Sequence, residues 1–226
     1  MTIQPIQGNH DEPGGGTVSL ASQAYERLKD KLIMLDIRPG QPINDVALAA
    51  ELGVGRTPVR EALKRLETDH LVITYPRRGT FATVVDVTEL GAISDIRQLL
   101  EPHAARRAAE NATSYMRTEM RAAANDVREL SVVDGDRTAF LGEDMAVHHL
   151  IYRATGNPHL EDVLIRYDNL ATRIWCYMLE KMPSVTGHIA EHVDLLNAIA
   201  AGEEEKAAAL ALHHVTSFEE TVRKVL

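Results

Sequence analysis

The stretch GVGRTPVREALKRLE, residues 53–67, lies between a short apolar-periodic segment, Asp45 to Leu52, and a strand-turn-strand pattern, LVITYPRRGTFATV, at 71–84. Val59, Ala62, Leu63 and Leu66 recur at i, i+3, i+4 and i+7, so the spacing predicts a helix from about Gly55 to Glu67 that buries this face. Pro58 falls in its first turn, where the missing N–H had no intrahelical partner to lose. Helix, glycine-bearing turn, helix and two short strands follow one another in the order of a winged helix-turn-helix.

The face left outside carries Arg56, Thr57, Arg60 and Lys64. A second helix with a basic outer face at its N-terminal end suits insertion into a DNA major groove, where such side chains reach phosphates and base edges. In the turn between the strands, Arg77 and Arg78 stand beside Gly79, which reads as a DNA-contacting wing; a solvated hairpin is the plainer alternative.

The run from Tyr25 through RPG (38–40), DVALAAELGVGRTPVREALKRLE and YPRRGTF (75–81) resembles the DNA-binding domain of the GntR family of bacterial transcription regulators. Two positions depart from the family pattern: Gly55 replaces the usual Ser or Thr, and His70 replaces the usual Gly. Glycine is a workable N-cap, so the fold expectation stands.

Length and charge fit a two-part chain. The 226 residues suffice for one large or two small domains. The net charge of −9 divides into +2 over residues 17–84, −9 over 85–226 and −2 over the preceding tail, so the acid belongs to the second half. An acidic body suppresses non-specific DNA binding and leaves affinity to the local basic face. No apolar run reaches the length of a membrane span. Residues 1–19, with a GGG run and few apolar side chains, are expected to be a disordered tail without the order of a signal peptide. Cys176 is alone, which excludes an internal disulfide and fits a reducing cytoplasm.

From Thr88 onward the pattern is helical throughout. Helices are expected near 88–110, 114–132, 136–155, 159–182, 185–201 and 203–225, broken at Gly135, Gly156-Asn157-Pro158, Pro183 and Gly202. The expected architecture is therefore mainly α, with a winged helix-turn-helix at 20–85 followed by an antiparallel all-α bundle at 86–226.

Where the histidines fall makes the bundle specific. Asp144 and His148 share the stripe of Leu141, Met145, Ile151 and Tyr152, while His149 is turned about 100° away. His192 lies at the edge of the stripe set by Ile189, Val193, Leu196 and Ala200, with His188 further round. His214 centres the inner face of the last helix and His213 points out. Asp144, His148, His192 and His214 converging in an apolar bundle would bind Zn²⁺ or a similar divalent ion, with positions open to water or a ligand; four separately hydrogen-bonded core groups are the alternative. The second half also resembles the FCD effector domain of a large GntR subgroup, through the Asp-x3-His pair, GNPHL at 156–160 and EHVDLLNAI at 191–199. In that family the matching Asp and three His bind a metal, and the step of 22 residues from His192 to His214 agrees with its spacing.

Arg97 shares an inward stripe with Ile93, Leu100 and Ala104. It is expected either to hold the carboxylate of a small organic acid whose other oxygens reach the metal, or to pair with an acid such as Glu101 or Asp144. Arg153, Arg166 and Arg173 are expected on outward, solvated faces. Together these features point to a one-component regulator, a repressor by the family's commoner mode, that binds a palindromic operator as a homodimer under control of metal and a small carboxylate. A metal sensor without an organic effector is one alternative. A metal-dependent hydrolase tethered to DNA is another, disfavoured because no further inward carboxylate or histidine near the ligands suggests a general base.

Overall fold

The computed structural model describes residues 19–130, 137–182 and 186–225. The expected tail and the breaks at Gly135 and Pro183 lie outside the described residues, apart from Ser19.

Helix α1 (Leu20–Ile33) starts where the Ser19 hydroxyl accepts from the Ser22 N–H. Asn44 caps α2 (Asp45–Leu52) in the same way, and Gly53 ends it in the left-handed conformation at φ 68°. The next helix, α3 (Arg56–Thr68), buries Val59, Ala62, Leu63 and Leu66, the face expected from periodicity. Strands β1 (Pro42–Ile43), β2 (Val72–Tyr75) and β3 (Gly79–Ala82) form an antiparallel sheet in the order β1-β3-β2. The wing turn has Pro76 at its second position and Arg77 at φ 63°, with the Arg78 N–H bonded to the Tyr75 carbonyl. That is the pattern of a type II turn with arginine in the position glycine prefers.

His70 has a physical account. It follows the last turn of α3 with φ 61°, the left-handed region that a glycine enters without steric cost. The histidine therefore stands in a backbone conformation that suits the glycine expected there.

After a 3₁₀ turn at Val87–Glu89, capped by Asp86, the chain continues as α4 (Leu90–Asn111), α5 (Ser114–Leu130), α6 (Arg137–Ala154), α7 (Pro158–Met178), α8 (Thr186–Ala201) and α9 (Glu204–Arg223). Helix α4 lies along α9, α5 along α8 and α6 along α7. Asn157 caps α7, with Pro158 in its first turn. A second 3₁₀ turn, Leu179–Lys181, ends the stretch read from sequence as one helix to 182. The apolar side chains gather into one cluster within the winged unit and a larger one within the bundle.

Two of the three arginines assigned to solvent are not solvated. Arg173 is buried and bonds both the hydroxyl and the carbonyl of Thr83, while half-buried Arg166 pairs with Asp69 at 3.2 Å. Both face the winged unit, a neighbour that helical periodicity within the bundle does not reveal. Arg153 is the exposed one, paired with Glu119 at 2.8 Å.

Candidate functional site

Helices α6, α8 and α9 bring Asp144, His148, His192 and His214 together, all buried, with one donor atom from each lying within 4.8 Å of the others. His148 Nε2 lies 3.2 Å from His214 Nε2 and 3.4 Å from His192 Nε2. His192 Nδ1 is 3.8 Å from Asp144 Oδ1. Nitrogens sharing one ion at about 2.1 Å stand roughly 3.0–3.4 Å apart, so the spacing suits a common ion.

The outer nitrogens decide what the inner ones can be. His214 Nδ1 lies 3.0 Å from Glu191 Oε2, and a carboxylate only accepts, so Nδ1 carries the proton and Nε2 presents a lone pair. His148 Nδ1 lies 3.4 Å from the carboxylate of Glu101 and 3.1 Å from the Tyr152 hydroxyl. Its proton is held outward by the same reasoning. Two imidazole lone pairs then face each other in a buried site, an arrangement that needs a cation between them. Asp144 Oδ1 and His192 Nδ1, both buried, have no hydrogen-bond partner among the described residues.

Charge bookkeeping agrees. Arg97 is buried against Glu101 (2.5 Å) and Asp168 (3.2 Å), so its permanent charge sits among three buried carboxylates, Glu101, Asp168 and Asp144. The cluster lacks two positive charges, which a divalent ion supplies. Without an ion, protons must substitute. Burial opposes a charge on His148, but the carboxylates of Asp168 and Glu101 outweigh it and lift its pKa to about 9. Burial also raises Asp144 and holds His192 and His214 well below the usual imidazole range, as neutral donors. The donor set fits a divalent ion of the zinc class.

Sequence reasoning missed Glu191 and Asp168, and gave His188 and Glu101 no place beside the four donors. Glu191, one residue before His192, serves His214; His188 stacks on His214 at 3.9 Å between ring centroids, with Nδ1 3.4 Å from Glu191. Glu101 and Asp168 flank His148. The expectation that no further inward carboxylate or histidine lies near the ligands is therefore overturned. Glu101 was legible only as one possible partner of Arg97. The role of Asp168 depends on how α7 packs against α4, for which the local pattern carries no signal. Of the three histidines read as turned away, His213 is exposed, whereas His149 is half-buried with Nε2 3.9 Å from Asp168.

On the winged unit, Arg56, Thr57, Arg60 and Lys64 are exposed along α3, and Arg77, Arg78 and Gly79 are exposed at the wing. Asp45, the first residue of α2, binds Arg60 Nε at 2.6 Å and Arg56 Nη2 at 3.3 Å. The two α3 arginines are thereby aligned side by side before any nucleic acid arrives.

Residues 20–82 match the family model described as bacterial regulatory proteins, gntR family, and residues 92–217 match the FCD domain model. The Nta operon transcriptional regulator of Aminobacter aminovorans is 28% identical over 190 residues, 84% of this chain and 88% of that one. The probable D-xylose utilization operon transcriptional repressor of Paenarthrobacter nicotinovorans is 26% identical over 202 residues, covering 88% of this chain and 87% of that one. Among solved structures, Escherichia coli McbR/YncC superposes with a TM-score of 0.77 at 25% identity, covering 92% of this chain and 97% of that one. The two operon regulators are named for transcriptional control and the gntR family model describes regulatory proteins, which sets aside the hydrolase reading.

Proposed function

Because this chain belongs to the GntR family of bacterial regulatory proteins, with an FCD domain as its second half, we propose that it is a metal-loaded, effector-responsive regulator of operator binding. The observation that carries the metal is the pair of Nε2 atoms of His148 and His214, 3.2 Å apart with their Nδ1 protons directed to carboxylates. Asp144, His148, His192 and His214 would hold the ion, zinc being the natural choice for one carboxylate and three neutral imidazoles. Such an ion ties α6, α8 and α9 together and offers an oxygen ligand a place to bind.

A small carboxylate is the effector class the neighbourhood suits. Neither oxygen of buried Asp168, 3.2 Å from Arg97, makes a hydrogen bond within the described residues. A hydroxy acid would satisfy such groups, and its carboxylate would reach Arg97 by displacing Asp168 from the guanidinium. The ligand alters DNA binding only through different affinity for the DNA-competent and DNA-incompetent arrangements; a tenfold effect requires about 1.4 kcal/mol.

On the DNA side, Arg56, Thr57, Arg60 and Lys64 enter the major groove, and Arg77, Arg78 and Gly79 follow the backbone alongside. One short helix discriminates little, so a homodimer reading a palindromic operator is the working form, acting as a repressor in the cytoplasm.

Charge balance favours a second reading. Arg97 and a divalent ion already neutralise Glu101, Asp168 and Asp144 without any added anion, as a metal sensor would require. The deciding experiment is elemental analysis of gently purified protein, followed by titration of its operator complex with a panel of small organic acids and with metal, in wild type, Arg97→Ala and His192→Ala. A response to an acid that disappears in Arg97→Ala supports the effector reading; a response to metal alone supports the sensor. Loss of neither metal nor response in His192→Ala overturns both.

A further inference from the structure

A cavity of about 770 Å³ opens between the wing and the bundle, within the size range of small-molecule sites. Ile73, Tyr75, Phe81 and Val84 line it from the winged side and Ile96 and Leu170 from the bundle, with the exposed carboxylates of Asp86 and Glu89 also in its lining. Ile73, Tyr75 and Val84 are 38%, 46% and 71% exposed, so the chain leaves an apolar wall to water at the joint between its two units.

Arg173, on α7, borders this wall and is only 3% exposed. Buried arginines are normally matched by an acid, as Arg97 is by Glu101 and Asp168. Arg173 is not: among the described residues no carboxylate lies within ion-pair distance, and its Nε has no acceptor. Its two terminal nitrogens donate only to the neutral oxygens of Thr83, Nη2 to the carbonyl at 2.7 Å and Nη1 to the hydroxyl. A carboxylate is the stronger acceptor, since charge-assisted bonds are roughly twice as strong as neutral ones.

We infer that this cavity is a second ligand site, separate from the metal centre, for a carboxylate with an apolar body, and that Arg173 is its anchor. The apolar walls take the body of the ligand, and the single unmatched guanidinium selects a monoanion over a neutral compound of the same shape. Thr83 immediately follows β3, so a ligand that draws the guanidinium away from Thr83 loosens the tie between bundle and wing. Occupancy is thereby coupled to how the DNA-binding unit is held.

Octanoate, with octanol as the neutral isostere, tests the site by isothermal titration calorimetry on the full chain loaded with zinc. Octanoate is expected to bind at least tenfold more tightly than octanol. Arg173→Met should remove that preference while leaving octanol binding unchanged, Arg173→Lys should retain it in part, and Ala92→Trp, at the cavity mouth, should weaken both ligands. His192→Ala, titrated without zinc beside zinc-free wild type, should change neither. Equal binding of octanoate and octanol, no saturable octanoate binding, or octanoate binding undiminished in Ala92→Trp would each overturn the site. Binding lost in His192→Ala and kept in Arg173→Met would place the carboxylate at the metal centre instead. Circular dichroism of each variant guards against misfolding, and if Arg173→Met fails to fold, Ala92→Trp and Arg173→Lys decide the matter.

Discussion

Glu191 Oε2 lies 3.0 Å from His214 Nδ1, so a half-buried carboxylate in the second turn of α8 fixes which nitrogen of a buried α9 imidazole carries the proton. This is the carboxylate-histidine arrangement that orients metal-binding imidazoles and raises their basicity. Glu191→Gln should therefore lower metal affinity about 10- to 100-fold with all four donors intact. Competition with a chromophoric chelator measures it, and unchanged affinity would relegate Glu191 to packing.

The donor set predicts a sharp contrast between neighbouring histidines. His192→Ala and His214→Ala should lose bound metal and melt at lower temperature, because an ion held only by the native state stabilises it. Exposed His213 and half-buried His149, whose Nε2 faces Asp168 and not the four donors, are the controls, and their alanine variants should keep the metal. Metal analysis beside thermal melting reads both effects.

Without metal, the centre should make stability depend on pH in both directions. His148, with its folded pKa lifted to about 9, contributes stability that is complete below its unfolded value near 6.5 and lost as pH rises through 9. One proton corresponds to about 1.4 kcal/mol per pH unit within that window. His192 and His214 are depressed by burial, so their contribution is present above 6.5 and lost as pH falls. Metal reverses the alkaline limb: binding must displace the His148 proton below pH 9, so apparent metal affinity rises with pH. Thermal melts of chelated and metal-loaded protein at pH 6.5, 7.5 and 8.5 should diverge steadily; parallel melts would contradict the assignment.

On the DNA side, Arg60→Ala should cost about 1–3 kcal/mol on the operator if its guanidinium reads a guanine edge, with little change on random DNA. Arg78→Ala should weaken both and flatten the salt dependence. Asp45→Asn removes an anion from the approach face and frees both α3 arginines, so non-specific affinity should rise and the operator preference fall. Fluorescence anisotropy on operator and scrambled duplexes across a salt series separates the three outcomes.

His70→Gly should stabilise the winged unit by about 1 kcal/mol, since the backbone there is left-handed at φ 61° and an L side chain is penalised. Chemical denaturation of the two proteins provides the comparison, and a destabilised glycine variant would mean that the imidazole makes a compensating contact.

Local chemistry repeats at short range, and the sequence alone was sufficient wherever that was enough. The 3.6-residue spacing of Val59, Ala62, Leu63 and Leu66 determined the inner face of α3 and hence its outer basic face. The same periodicity selected Asp144, His148, His192 and His214 from ten histidines and many acids, because each lies on the stripe its own helix must bury. Tertiary structure alone decided what those residues meet. Glu101 and Asp168 surround His148 because α4 and α7 pack against α6, and Glu191 reaches His214 because α8 crosses α9. Arg173 and Arg166 read as solvated because their neighbour is the winged unit, nearly a hundred residues earlier in the chain, as the separation of 90 between Arg173 and Thr83 shows. Periodicity reports which side of a helix is dry; the partner on that side depends on packing between elements distant in sequence, where no local repeat carries the information.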